Sequence, residues 1–137
     1  ALQAKPHIVG HNLETVERIT PLVRSRAKYR TSLEALRIMS ESGIPTKSGI
    51  MLGLGETHEE VLQALRDLRQ AGVELVPLGQ YLRRTGKHYP VDRYVTPEEF
   101  DTLKEEALAM GFKYVASAPL VRSSYLADRA VEACQKE

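Results

Sequence analysis

Apolar residues recur along this chain at helical spacing in three stretches. Leu33, Leu36 and Met39 form the first, Val61, Leu65 and Leu68 the second, and Phe100, Leu103, Ala107 and Met110 the third. Steps of three and four residues keep side chains on one face of a helix, so each stretch reads as an amphipathic helix with a buried stripe. Between them lie short runs rich in β-prone residues, at 46–52, 73–78 and 112–117, with a shorter one at 7–9. Pro77 falls near the end of the second run. Thr31 with Glu34, Thr57 with Glu60, and Thr96 with Glu99 have the spacing of a capping box, and Pro97 takes the first helical position after Thr96. Gly43, Gly72 and Gly111 supply the C-terminal stops. Asn12 is placed to cap a short helix ending before Pro21, and residues 125–135 read as a terminal helix.

Strands alternating with helices at this spacing specify βαβ units and a parallel sheet. Three or four such units are too few to close an eight-stranded barrel. The expected fold is therefore α/β: a partial (half) TIM-type parallel β/α barrel with a C-terminal helical extension. Residues 1–118 would form the half barrel and residues 119–137 the extension. An open half exposes a strand edge and an apolar inner face, so a covering partner is expected.

Composition narrows the function classes. The 137 residues are 42% hydrophobic and 27% charged, which is ordinary for a globular protein. No apolar run approaches the roughly 20 residues that span a membrane, and residues 1–9 lack the pattern of a secretory signal. Ala1 in place of an initiator methionine suggests a processed chain or a piece of a longer one. A net charge of +1, with both signs interspersed, argues against an extended nucleic-acid or membrane surface. Cys134 is the single cysteine, so the chain has no internal disulfide and no thiolate cluster of its own; a reducing cytoplasm or organelle matrix fits this usage.

Parallel α/β folds gather ligands at the C-terminal ends of their strands. Three segments expected there are unusually rich, residues 10–29, 53–56 and 79–94, and a fourth, residues 119–125, follows the last strand. The opposite connections, residues 43–45 and Gly72, are short and plain. One face has been elaborated, and the other has not. Gly53-Leu54-Gly55-Glu56 has two readings, a close backbone approach to a ligand or a turn that needs positive φ at glycine. Arg83, Arg84, Lys87 and His88 read either as an anion site or as a solvated basic loop. His11 and Glu14 have no third ligand at a metal-site spacing. Ser123 or Ser124 would by default cap the terminal helix, and Cys134, near the end of the chain, reads as structural or incidental. No nucleophile elbow or catalytic triad can be assembled, and no residue is assigned a catalytic role.

The same loops, in order, resemble lipoyl synthases of the radical S-adenosylmethionine superfamily. The matching stretches are His11-Asn12-Leu13-Glu14-Thr15, Tyr29-Arg30-Thr31-Ser32-Leu33 and Thr46-Lys47-Ser48-Gly49-Ile50-Met51-Leu52-Gly53-Leu54-Gly55-Glu56-Thr57. Gly79-Gln80-Tyr81-Leu82, Arg93-Tyr94-Val95-Thr96-Pro97-Glu98-Glu99-Phe100, Ala109-Met110-Gly111-Phe112 and Pro119-Leu120-Val121-Arg122-Ser123-Ser124-Tyr125 complete the set. The resemblance covers nearly the whole chain and the C-terminal half of such an enzyme.

It implies a partial barrel that uses S-adenosylmethionine and two [4Fe-4S] clusters to insert sulfur into an octanoyl group held by a lipoyl-carrier protein, either a lipoyl domain or the glycine cleavage H protein. Gly49, Met51, Gly53 and Glu56 resemble the strand motif beside the adenine, with Met51 where isoleucine is more usual. His11, Asn12 and Glu14 resemble the loop facing the ribose and methionine portions. The Arg-Ser-Ser-Tyr segment resembles the signature whose serine ligates iron, either Ser124 or Ser123. Gly10 stands where the family usually has Asn, and Ala118 where Gly is usual. Both three-cysteine motifs, expected in a missing N-terminal half, are absent, so the chain is expected to be inactive alone. Two other readings stand beside this one. One is a non-catalytic α/β module that binds S-adenosylmethionine or an acyl-carrier partner, the other a phosphate-binding barrel enzyme.

Overall fold

A computed structural model describes residues 8–24, 28–83, 85–86 and 88–119. Its strands are β1 (Val9–Gly10), β2 (Thr46–Lys47), β3 (Ile50–Leu52), β4 (Leu75–Gln80) and β5 (Tyr114–Ser117). The helices are α1 (Thr20–Val23), α2 (Tyr29–Ser40), α3 (His58–Gln70) and α4 (Pro97–Ala109). Every strand pairing is parallel, so the α/β expectation holds.

β1 pairs β2, β4 pairs both β2 and β3, and β5 lies on the other side of β4. Lys47 faces Leu75 and Ile50 faces Leu78 at one constant register, so β2 and β3 are two parts of one ladder. Neighbours in space thus follow chain order, the arrangement a barrel segment requires. The run at 46–52 breaks at Ser48 and Gly49, opposite Val76 and Pro77. Pro77 has no amide hydrogen for the ladder, and its ring Cγ lies 3.3 Å from where a Cβ on Gly49 would be.

The first strand is displaced from the expected 7–9 to Val9–Gly10, and His7 lies outside the described residues. From Gly10 to Glu14 this segment advances four residues while Lys47 to Ile50 advances three. The extra residue is absorbed with Glu14 at φ +79°, where Glu14 N–H donates to Gly49 O at 3.0 Å and Met51 N–H donates to Glu14 O at 2.8 Å. The later strands begin two residues downstream of the apolar runs at 73 and 112, because Val73 and Phe112 are buried in the turns that lead into them.

Two of the three capping boxes form. The Thr57 and Thr96 hydroxyls accept from the amides of Glu60 and Glu99, whose carboxylates accept in return from the two threonine amides. The Thr31 box does not form. Helix α2 begins earlier, at Tyr29, with Lys28 as an extended N-cap lacking a side-chain bond. Burial of Tyr29 and its bond to Asp67 set that start, and Glu34 turns outward to Arg37. Asn12 caps no helix either, and Pro21 opens α1 instead of following one. Gly43, Gly72 and Gly111 do end their helices, all at positive φ.

The core lies where the sheet meets the helices, with Leu13, Ile50, Leu52, Leu65, Leu68, Leu78 and Phe100 fully buried. α3 packs against α2 and α4. The terminal helix at 125–135, Cys134, Ser123 and Ser124 lie outside the described residues.

Candidate functional site

The C-terminal ends of β1, β3 and β4 open into a cavity of about 490 Å³. Asn12 and Glu14 line it from the first loop, Leu22, Val23 and Arg24 from α1 and its end, and Met51 from β3. Tyr81, Leu82, His88 and Tyr89 come from the segment after β4. The volume lies within the roughly 300–1,000 Å³ usual for small-molecule sites.

The first loop is fixed by a relay of polar groups. Asn12 Oδ1 accepts from Gly49 N–H at 3.1 Å, and Ser48 Oγ accepts from Leu13 N–H at 2.9 Å. His11 Nε2 is 3.1 Å from Ser32 Oγ. Arg24 Nη1 donates to the carbonyls of Asn12 and Leu13, each at 3.3 Å, and to Ser32 Oγ at 3.4 Å. Glu14 keeps a left-handed backbone that costs a non-glycine residue about 1–3 kcal/mol, which the two ladder bonds at its N–H and C=O hold in place.

The glycine turn faces inward. Glu56, 8% exposed, accepts from the amides of Gly53 and Leu54, each at 3.0 Å. Gly53 O accepts from Asp92 N–H at 2.8 Å and Arg93 N–H at 3.4 Å. Gln80 completes the strap. Its Nε2 donates to Tyr81 O and Arg93 O, both at 3.0 Å, and its Oε1 accepts from Val95 N–H at 2.9 Å. A Cβ on Gly53 would lie 2.4 Å from both Arg93 O and Gln80 Nε2. Tyr81 O–H donates to Tyr89 O at 2.5 Å, which fixes the cavity's far wall.

Behind the turn, Arg18 donates to both carboxylate oxygens of Glu60, at 2.8 and 3.0 Å, and to Gly55 O at 2.8 Å. The guanidinium and the Thr57 amide hold the Glu60 carboxyl down at about 2. A smaller outer cleft of about 310 Å³ lies beside Tyr29 and Asp67. Tyr29 O–H donates to Asp67 Oδ2 at 2.7 Å, and burial followed by that bond pushes the phenol well above its ordinary range. Gln63 Nε2 donates to the other Asp67 oxygen, so this cleft is a satisfied structural network.

Of the residues singled out by sequence, Asn12, Glu14, Met51 and His88 meet at the mouth, Gly49 is one hydrogen bond away through Asn12, and His11 is two away through Ser32 and Arg24. Gly53 and Glu56 do not line it and instead build the turn that anchors its wall. Arg83 donates to Thr85 O and Gly86 O, while Arg84 and Lys87 lie outside the described residues. Arg24 was not anticipated, because a lone arginine in a polar loop has no distinguishing sequence signal. Among the described residues no group of three or more His, Cys, Asp or Glu is arranged to hold a metal, and no helix is long and apolar enough to cross a membrane.

Known proteins resemble this chain in sequence. Residues 2–68 match the family model described as the radical SAM superfamily. Over 128 residues, 93% of this chain, the sequence is 55% identical to a lipoyl synthase of Bacteroides fragilis, of which it covers 44%. Lipoyl synthases of Flavobacterium johnsoniae and Bacillus cytotoxicus are 55% and 53% identical over 93% and 98% of the chain. The chain is similar to lipoyl synthases over at least 93% of its own length in these three comparisons. It covers 45% and 46% of those two relatives, and so spans less than half the length of the lipoyl synthases it matches. The mouth residues Asn12, Glu14 and Met51 all fall inside the stretch that matches the radical SAM family model.

Proposed function

We propose that this chain is the C-terminal part of a lipoyl synthase, and that the mouth at the strand ends forms one side of its S-adenosylmethionine site. The supporting observation is the convergence of Asn12, Glu14 and Met51 on one cavity, from the two segments expected to face that cofactor. The donor set suits it. Asn12 and Glu14 offer polar atoms to hydroxyl and ammonium groups, and Met51 offers an apolar surface to a purine ring. Residues 1–118 would be the barrel part and residues 119–137 an extension bearing the Arg-Ser-Ser-Tyr segment.

When bound, S-adenosylmethionine and two [4Fe-4S] clusters would supply the radical and the sulfur for converting a protein-bound octanoyl group to lipoyl. With Cys134 as its single cysteine, this chain cannot hold either cluster by thiolates alone. The cluster cysteines therefore come from the missing N-terminal half, and the 137-residue chain by itself is inactive. Its own residues would orient the cofactor, while Ser124, or Ser123, would ligate one iron. An alkoxide is a hard and displaceable ligand, suited to a cluster that gives up sulfur. The carrier would be an octanoylated lipoyl domain or the glycine cleavage H protein, and the setting the cytoplasm. The single cysteine also supports a second reading, a non-catalytic module that binds S-adenosylmethionine or an acyl-carrier partner.

Ser124→Ala in the completed enzyme tests the ligand. Cleavage of S-adenosylmethionine should persist near the wild-type rate while lipoyl formation is lost. Wild-type lipoyl yield from the variant removes Ser124 from the ligand set.

A further inference from the structure

We infer that the turn after β4, through Leu82, Arg83 and His88, is the surface on which the acyl-bearing carrier protein docks, and that it recognises an acidic patch beside the acylated lysine. The inference rests on the carrier reading above and places that partner on one rim of the mouth. Residues 75–91 contain no Asp or Glu, while Arg83, Arg84 and Lys87 lie among them with His88. That stretch has a formal charge of +3 in a chain whose total is +1, so the other residues together carry −2. Elsewhere Arg18, Arg30, Arg37 and Arg93 each pair with a carboxylate. Arg83 is exposed and pairs with none among the described residues.

The turn holds its basic side chains in place. Arg83 Nε and Nη2 donate back to Thr85 O at 3.1 Å and Gly86 O at 2.8 Å, and His88 Nδ1 lies 2.8 Å from Thr85 Oγ1. Tyr81 O–H donates to Tyr89 O and ties the two ends of the segment together. A surface ordered in advance loses little entropy when a partner settles on it. Leu82 and His88 line the cavity, which sets Arg83 beside its rim. Leu82 and Leu22, 53% and 57% exposed, both line it too, so apolar surface adjoins the charge. Cations around exposed leucines match the polar rim and apolar centre of a protein interface. A nucleic-acid backbone would call for a longer basic track than one turn of a nearly neutral chain. An acidic partner seated here holds its acyl chain at the cavity entrance.

The test follows the first turnover of the full-length, cluster-loaded enzyme on two substrates, an octanoylated lipoyl domain and a short octanoyl-lysine peptide without Asp or Glu. Arg83→Glu should raise the half-saturating concentration of the domain about tenfold, the low end of electrostatic steering, and leave the maximal rate and the peptide within about twofold. Arg83→Lys keeps the charge and loses the bonds to Thr85 O and Gly86 O, so it should match the wild type. A lysine variant as impaired as the glutamate one makes Arg83 a brace for its own turn and overturns the docking role. Added salt should weaken the domain's saturation of the wild type and leave that of Arg83→Glu nearly flat. Should Arg83→Glu fail to fold, Arg83→Gln takes its place, with a rise of about threefold. Equal saturation by the domain in wild type and variant overturns the inference and leaves the lipoyl synthase reading standing. Inorganic phosphate that competes with the domain better than chloride of equal ionic strength marks a small-anion site and overturns it too. A wild-type enzyme that converts neither substrate removes both readings.

Discussion

Gly53 carries two constraints that no other residue meets. Its φ of +97° is strained for any residue with a side chain, and the nearest atoms to an added Cβ include the backbone oxygen of Arg93, which cannot swing aside. Gly53→Ala should therefore destabilise the chain by about 2–4 kcal/mol, read as a lower urea midpoint at unchanged slope. Gly43 is the control. It has φ +82° with no atom within 4 Å of the added Cβ, so Gly43→Ala should cost about 1–2 kcal/mol. The sequence could show that 53–56 was a glycine turn, but not which reading applied. The answer depends on Gln80 and residues 92–95, far away in the chain, folding onto the turn. Asn12, Glu14 and Met51 were legible because their motifs sit at strand ends. Arg24 was not, since its place in the lining depends on the fold bringing the end of α1 over the first loop.

Helices follow from the sequence wherever local signals and burial agree. Thr57 and Thr96 sit one residue before their helices and four before the apolar stripes, and both boxes form. Thr31 carries the same signature, but Tyr29 is buried against Asp67 two residues earlier, and tertiary packing draws the helix start back to it. The contrast can be measured. Thr57→Ala should cost about 1 kcal/mol, and Thr31→Ala, an exposed change inside the first turn, should stay within about 0.5 kcal/mol, both by denaturant unfolding. Equal losses would mean that Thr31 caps α2 after all. The strands were harder to bound. The run at 46–52 reads as one strand, and it is the missing amide of Pro77 on the neighbouring strand that divides it.

On the scale of the molecule, two ion pairs tie the loops to the helix starts. Arg18 joins Glu60 at 2.8 Å, and Arg93 joins Glu99. The two guanidiniums and the cap amides hold both carboxyls at about 2, below an ordinary value of 4.5. A depressed folded pKa stabilises the fold above the unfolded value and ceases to do so as the proton binds. The contribution should be whole above about pH 5 and disappear between about pH 4.5 and 2. Exposure to solvent keeps each pair small, so the effect is a gradual loss of urea midpoint in acid. Glu60→Gln and Glu99→Gln together should flatten that slope, and an unchanged slope would mean that other groups govern the acid limb.

The sheet is open at β1 and at β5 among the described residues, and the chain spans less than half of its relatives. A polypeptide extended to full family length, with its clusters reconstituted, should supply what the mouth lacks. The direct measurement is the mass of an octanoylated carrier protein after incubation with S-adenosylmethionine and a reductant. The full-length polypeptide should add two sulfur atoms to the carrier, and the 137-residue chain should add none. Lipoyl product from the short chain, or an untouched carrier with a full-length protein whose clusters are intact, would contradict the account.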